Sequence, residues 1–439
     1  MSKLLNTLIF IIFGFTFYKV IDQYLYIINN VNKENTIDND SSFYKIQDLA
    51  GRRLHEEGKY SEAEIHYMKL IHSDQNNNHS NTYYYNLIGY SLYKQGKLSE
   101  AEKSYRKAIE LHSTNIEALI NLGILLNDKS LFVEAENEYK KVIEYTDKEL
   151  NDQNNIDNIE NVDEHLASLA SLAYNNLGVL YYNNKNFVGA DYNLRKAIEL
   201  NPKYTMSYNN IGKLLHDQHK YKESEKFLRT GLKLEPENSI LHFNLARTIS
   251  GMGNLPDAET SYRKSIQLDP NNSKYHNNLG VVLEMQNKYT LAEESYKKSI
   301  ELNPRNSESC FNLGRTLTQL GKFSEAEDSY RKAIEIEPKN SRYLYYVGLS
   351  LEKQDKLYDA EIFYRKSLDI DPDYSIAKYF LGQILEKQII LDPKNKLLHK
   401  NLGDFLKKQG KSNEAEECYK KVRELSVNIS IENSNHEDL

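Results

Sequence analysis

Few residues of this chain have the types and spacing to do chemistry, and asparagine is the exception. The two cysteines, Cys310 and Cys418, are too few and too far apart for a disulfide framework or a metal cluster. His216 and His219 lie on a polar stretch and read as solvent-facing side chains. No Gly-rich phosphate loop, no metal-spaced His pair with Glu between, and no nucleophile elbow occurs, so no catalytic, metal or cofactor site is expected. Asn, by contrast, keeps a period: Asn176, Asn210, Asn244, Asn278 and Asn312 follow one another every 34 residues. Asn121 and Asn401 hold the same place, and Asn175, Asn209 and Asn277 double three members of the series. A primary amide both donates and accepts, which matches the backbone of an extended peptide whatever its sequence. Just beyond three of these amides lie Lys213, Arg247 and Arg315, cations that would suit an acidic or carboxylate-bearing peptide. The competing readings are a structural consensus for the Asn and an ordinary solvated helix face for the cations.

The elements that must position these residues follow from an internal repeat. A small residue recurs at Gly51, Gly89, Gly123, Gly178, Gly212, Ala246, Gly280, Gly314, Gly348, Gly382 and Gly403, and six successive spacings from Gly178 to Gly382 are 34 residues. Twelve residues after most of them comes a second small residue, as in Ala292 and Ala326. Four further on stands an aromatic or Leu, as in Tyr296, Tyr330 and Leu194, and Pro closes units at Pro202, Pro236, Pro270, Pro304, Pro338, Pro372 and Pro393. This pattern predicts two antiparallel helices per unit, packed closely through small residues, with Pro stopping the second helix. One hairpin cannot bury its apolar face alone, so neighbours must cover one another.

Over about residues 44 to 429 this pattern resembles the tetratricopeptide-repeat family. The resemblance implies an all-α, right-handed superhelical solenoid of about eleven helix pairs, one of them truncated. It also implies that the first helix of each pair lines a concave groove, which places Asn176, Asn210, Asn244, Asn278, Asn312, Lys213, Arg247 and Arg315 as candidate peptide-binding residues. Such an Asn series resembles the groove of the repeat domain in O-linked N-acetylglucosamine transferases. The carboxylate clamp by which some relatives grip chaperone termini is not expected, because Lys400 occupies its first position but Asp404 its second.

Around the repeats, residues 1–28 are expected to be a hydrophobic signal sequence or signal anchor, because Leu4 to Tyr18 is an apolar run of fifteen residues behind Lys3. Residues 29–43 read as a flexible linker, 44–149 as three units, 150–170 as an acidic Asn-rich insert, and 171–374 as units four to nine. Residues 375–395 read as a truncated unit, 396–429 as the last unit, and 430–439 as a polar acidic tail. That tail ends in His436, Glu437, Asp438 and Leu439, which resembles the ER-retrieval tetrapeptide with its acidic pair swapped. The net charge of −7 and the interleaving of Lys and Arg with Glu argue against a nucleic-acid surface. The expected function is a non-enzymatic scaffold that binds a partner protein, membrane-associated or in the secretory pathway, with the cytoplasmic side of a membrane as an open placement. Two alternatives are an ER-lumenal co-chaperone and a substrate-recognition arm like that of the glycosyltransferases, without their catalytic domain.

Overall fold

The computed structural model describes residues 39–73, 78–154 and 164–437. The apolar amino-terminal segment and the centre of the acidic insert lie outside the described residues. The chain divides into two compact units, Met1–Pro236 and Glu237–Leu439. The first contains α1 (Asn39–Glu56), α2 (Tyr60–Ser73), α3 (Asn78–Lys94), α4 (Leu98–Leu111), α5 (Ile116–Asp128), α6 (Phe132–Asn154), α7 (Glu164–Asn183), α8 (Phe187–Leu200), α9 (Thr205–Asp217) and α10 (Tyr221–Leu234). The second contains α11 (Ser239–Gly251), α12 (Leu255–Leu268), α13 (Ser273–Met285), α14 (Tyr289–Leu302), α15 (Ser307–Gln319), α16 (Phe323–Ile336), α17 (Ser341–Glu352), α18 (Leu357–Ile370), α19 (Ser375–Leu391), α20 (Lys396–Lys408) and α21 (Ser412–Glu437). No strand occurs among the described residues. From α1 to α18 the helices pack as successive pairs, the odd-numbered helix first.

Each pair closes on one contact. The ring of Tyr330 lies flat against Gly314, so that a methyl group added there would sit 2.5 Å from the ring. Gly89, Gly123, Gly280 and Gly348 meet Tyr105, Tyr139, Tyr296 and Tyr364 in the same way, and Leu194 and Leu228 stand in against Gly178 and Gly212. These rings are almost wholly buried. The turn between paired helices places one residue, seven after the Gly, in the left-handed region: Gly58, Gly96, Gly253, Gly321 and Gly410, but also Ser130, Lys185, His219, Asn287 and Asp355. His219 is thus a turn residue whose Nδ1 meets the Tyr221 hydroxyl at 2.7 Å. Asn supplies many helix starts, its side chain accepting from the first turn at Asn115, Asn238, Asn272, Asn306 and Asn340.

Three expected boundaries shift. Helix α1 begins at Asn39, inside the expected linker. The described residues of the insert are helical: α6 runs on to Asn154 and α7 starts at Glu164, and Leu150, Leu166, Ala167, Leu169 and Ala170 form a core with Ile116, Leu119, Ile120 and Val142. Apolar residues at helical spacing, not the acidic ones, decide that segment. In the short unit the remnant of the second helix is not a separate fragment but is fused onto the first as the single 17-residue α19. With no second helix of its own to cover it, Gly382 faces Phe405 of the following helix, whose ring would lie 3.2 Å from a methyl group added at the glycine.

Two outcomes follow. Gly314→Ala should lower stability by about 1–3 kcal/mol through overpacking, against a helix-propensity gain of about 1 kcal/mol. Gly382→Ala, with its looser neighbour, should change it by less than about 1 kcal/mol, and urea unfolding of the two variants compares them. The second concerns His55, buried among Tyr60, Tyr67 and Tyr90. Its Nε2 contacts Ser91 Oγ at 2.6 Å, and Ser91 already donates to Leu87 O, so His55 Nε2 is the donor. Burial, and secondarily the Arg52 charge, pushes its pKa down to about 4. Below the ordinary value of about 6.5 the unfolded chain takes up a proton that folded His55 refuses, so stability is lost as pH falls from there towards 4. Amide exchange in α1 to α3, corrected for intrinsic rate, should accelerate over that window and do so less in His55→Gln.

Candidate functional site

The periodic asparagines divide their work. In three pairs an Asn three before one Gly accepts from an Asn two before the next. Asn121 Nδ2 donates to Asn86 Oδ1 at 3.0 Å and Asn210 Nδ2 to Asn175 Oδ1 at 2.9 Å in the amino-terminal unit. Asn312 Nδ2 donates to Asn277 Oδ1 at 3.4 Å in the carboxyl-terminal one. Ser207 and Ser309 hydroxyls donate to the same acceptors, at 3.3 and 3.0 Å. Adjacent first helices are therefore clasped to one another by buried amides. Asn176 is also buried, accepting from Asn175 at 3.3 Å, and Asn244 is buried. Asn278 is the more open member, donating to Lys274 O within its own helix at 2.8 Å. Asn176 and Asn210 belong to the first compact unit; Asn244, Asn278 and Asn312 belong to the second.

The cations are engaged as well. Lys213 Nζ lies 4.7 Å from the centre of the Tyr182 ring. Arg315 donates to Glu284 at 2.5 Å, bridging α13 and α15. Arg247 is partly buried beside Tyr262, whose phenol is held well above its ordinary pKa by burial, an effect that the Arg247 charge opposes. Further rungs join the same faces: Tyr93 donates to Asp128, Tyr182 to Asp217, and Lys387 to Glu352. Asp128 is pushed up to about 6 by burial, against the opposing hydrogen bond from Tyr93. The charges that would draw an acidic peptide thus spend much of their field on neighbouring repeats.

One concavity on this face combines several candidates. Between α13, α15 and α17 a cavity of about 440 Å³ is lined by Glu284, Asn312 and Arg315 on its polar side and by Met285, Tyr346 and Leu349 on its apolar side. Tyr330 closes its floor, its ring 5.3 Å from that of Tyr346 and its hydroxyl 3.1 Å from Thr318 Oγ1. Of the residues expected from sequence, Asn312 and Arg315 therefore share one site. Tyr346 escaped notice, although a signal existed: it stands two before Gly348, the position at which seven units carry Asn, and Phe380 stands likewise before Gly382. A second concavity of about 540 Å³ near the carboxyl end has Asn401, Lys407, Lys408 and Asp404, the last accepting from Tyr419 at 2.8 Å. Among the described residues no group of three or more His, Cys, Asp or Glu side chains is placed to hold a metal ion.

The clasp makes a contrast testable. Asn277→Ala removes the acceptor of buried Asn312 and one of two partners of Ser309, and should cost about 1–3 kcal/mol, whereas Asn278→Ala should stay within about 0.5 kcal/mol. Thermal unfolding of the two single variants checks this.

Tetratricopeptide-repeat family profiles match residues 171–204, 207–238, 241–272, 273–306, 307–340 and 401–426, and a TPR-repeat profile matches 89–129. No curated protein matches the chain significantly. Among solved structures, a monomeric mutant of human IFIT1 with m7Gppp-AAAA is similar at 19% identity and a TM-score of 0.50, covering 87% of this chain and 90% of that one. YrrB, a TPR protein with an unusual peptide-binding site, is similar at 22% identity and 0.38, covering 42% and 96%. PilF of Pseudomonas aeruginosa is similar at 20% identity and 0.45, covering 49% and 99%. The likeness to the IFIT1 mutant shows the fold, and together with the Gly–Tyr pairs and the profile matches along the chain it leads to one conclusion: the chain belongs to the tetratricopeptide-repeat family.

Proposed function

We propose that this protein-interaction scaffold works without chemistry of its own, holding an extended segment of a partner against the first-helix face. The observation that carries this reading is the cavity between α13, α15 and α17, where an amide, an ion pair and three apolar side chains converge on a space able to hold part of a polypeptide. Among the described residues no helix is long and apolar enough to cross a membrane. Membrane association or entry into the secretory pathway is proposed from the apolar run Leu4 to Tyr18, and the terminal His436 to Leu439 favours an ER-lumenal co-chaperone as the second reading.

A photo-crosslinking residue placed at Gln319, on the rim of the cavity, should capture discrete partner polypeptides in the native cell. The same residue at Tyr358, exposed on a second helix, should not capture them. Equal capture from both positions would remove the groove from the account. A labelling enzyme fused immediately before His436 reports the compartment: lumenal folding factors among its neighbours support the co-chaperone reading, and cytosolic ones a docking platform.

A further inference from the structure

The groove reading leaves open what kind of side chain the cavity takes, and the charges around it decide. Its one cation and one anion, Arg315 and Glu284, are bonded to each other at 2.5 Å, and Glu284 also accepts from the Tyr296 hydroxyl at 3.1 Å. An incoming carboxylate would have to break that pair and face Glu284, and an incoming ammonium would have to face Arg315. The pair presents almost no net charge to a visitor. The apolar lining comes from Met285 at the end of α13 and from Tyr346 and Leu349 on α17. Met285 is 55% exposed, Tyr346 is pinned edge-on against Phe311 at 4.9 Å between ring centres, and Leu349 is only partly covered. No hydrogen bond commits the Gln319 amide, which lies on the rim. The Tyr346 position carries Asn in the other clasped units, so this aromatic wall is a local departure from the repeat.

We propose that this cavity is an anchoring subsite for one bulky, uncharged side chain, aromatic or long aliphatic, of a partner's extended segment, with the Gln319 amide set for the backbone beside it. The inference rests on the groove reading above. Its volume of about 440 Å³ lies in the lower half of the range of about 300 to 1,000 Å³ usual for ligand sites, enough for one large side chain and not for a folded element.

The chain carries five methionines, which makes its methyl signals a sparse map: Met285 is at the cavity, while Met68 and Met252 are exposed elsewhere. In full-length protein labelled at the methionine methyls, with Met285→Leu used to assign the signal, N-acetyl-tryptophanamide should shift the Met285 resonance saturably and leave Met68 and Met252 in place. The corresponding glutamate and lysine amides should bind about tenfold more weakly, and raising salt tenfold should leave the tryptophan probe's affinity within about twofold. Tyr346→Asn, which removes the ring, should weaken the probe about fivefold or more at a temperature where circular dichroism shows the variant still folded. An unmoved Met285, equal binding of a charged probe, or an indifferent Tyr346→Asn variant overturns the subsite. If crosslinking from Gln319 persists in any of those cases, the groove reading stands and only the anchor is wrong. If Gln319 captures nothing selectively, the groove reading fails with it.

Discussion

The contact between a tyrosine ring and the bare backbone of a glycine sixteen residues earlier is the constraint on which the rest of this structure depends. It brings two helices closer than any side chain at Gly89, Gly280 or Gly314 would allow, and it fills the interior of each pair with a single ring. Because the pair is sealed from within, what remains to be satisfied is the outer face of each first helix, and only the neighbouring pair can cover it. The period of 34 residues is the length of chain needed to make this contact once and return. An interior filled in this way has little room for a site, so any binding must use surfaces that stacking leaves open.

How those surfaces are spent explains the mixed fate of the candidate residues. Where one unit carries Asn three before its Gly and the next carries Asn two before its own, the two amides come within reach, and a buried amide without a partner is costly, so Asn86 with Asn121, Asn175 with Asn210, and Asn277 with Asn312 are drawn to one another. Lys213 and Arg315 likewise find a ring or a carboxylate one repeat away. Periodicity supplies both a ladder and the means of satisfying it internally, and each amide bonded to its neighbour has less capacity left for a visitor.

The architecture was legible because its signals are local and repeated: small residues, rings and prolines at constant offsets name the helix, its closest contact and its end. Single events were not. The loss of 13 residues between Gly382 and Gly403 reads in sequence as a broken unit. In space the helix continues through the join, because Gln388 to Leu391 are helix formers in register with Ser375 onward, and Phe405 fills the place of the missing tyrosine. The insert is acidic and Asn-rich by composition, yet Leu150 of α6 and Leu166 and Leu169 of α7 bury together in one core. Charge pairs such as Arg315 with Glu284 join residues 31 apart, a separation visible only once the first helices are laid side by side. The apolar segment at Leu4 to Tyr18 lies outside the described residues.

Tyr346 shows where in such an array distinct function has room to arise. At its position the clasp would call for an amide, and between α15 and α17 rings do the holding instead: Phe311, Tyr330 and Tyr345 each lie within 5.3 Å of the Tyr346 ring centre. An aromatic cluster can bind two helices as firmly as an amide pair, but it does so with flat, rigid bodies that meet at angles and leave space between them. The cavity beside Tyr346 is the space so left, with walls that need no rearrangement to receive a side chain. A repeat that exchanges its clasp for rings therefore keeps its fold while gaining a pocket, and a solenoid acquires selectivity where rings take the place of its Asn series.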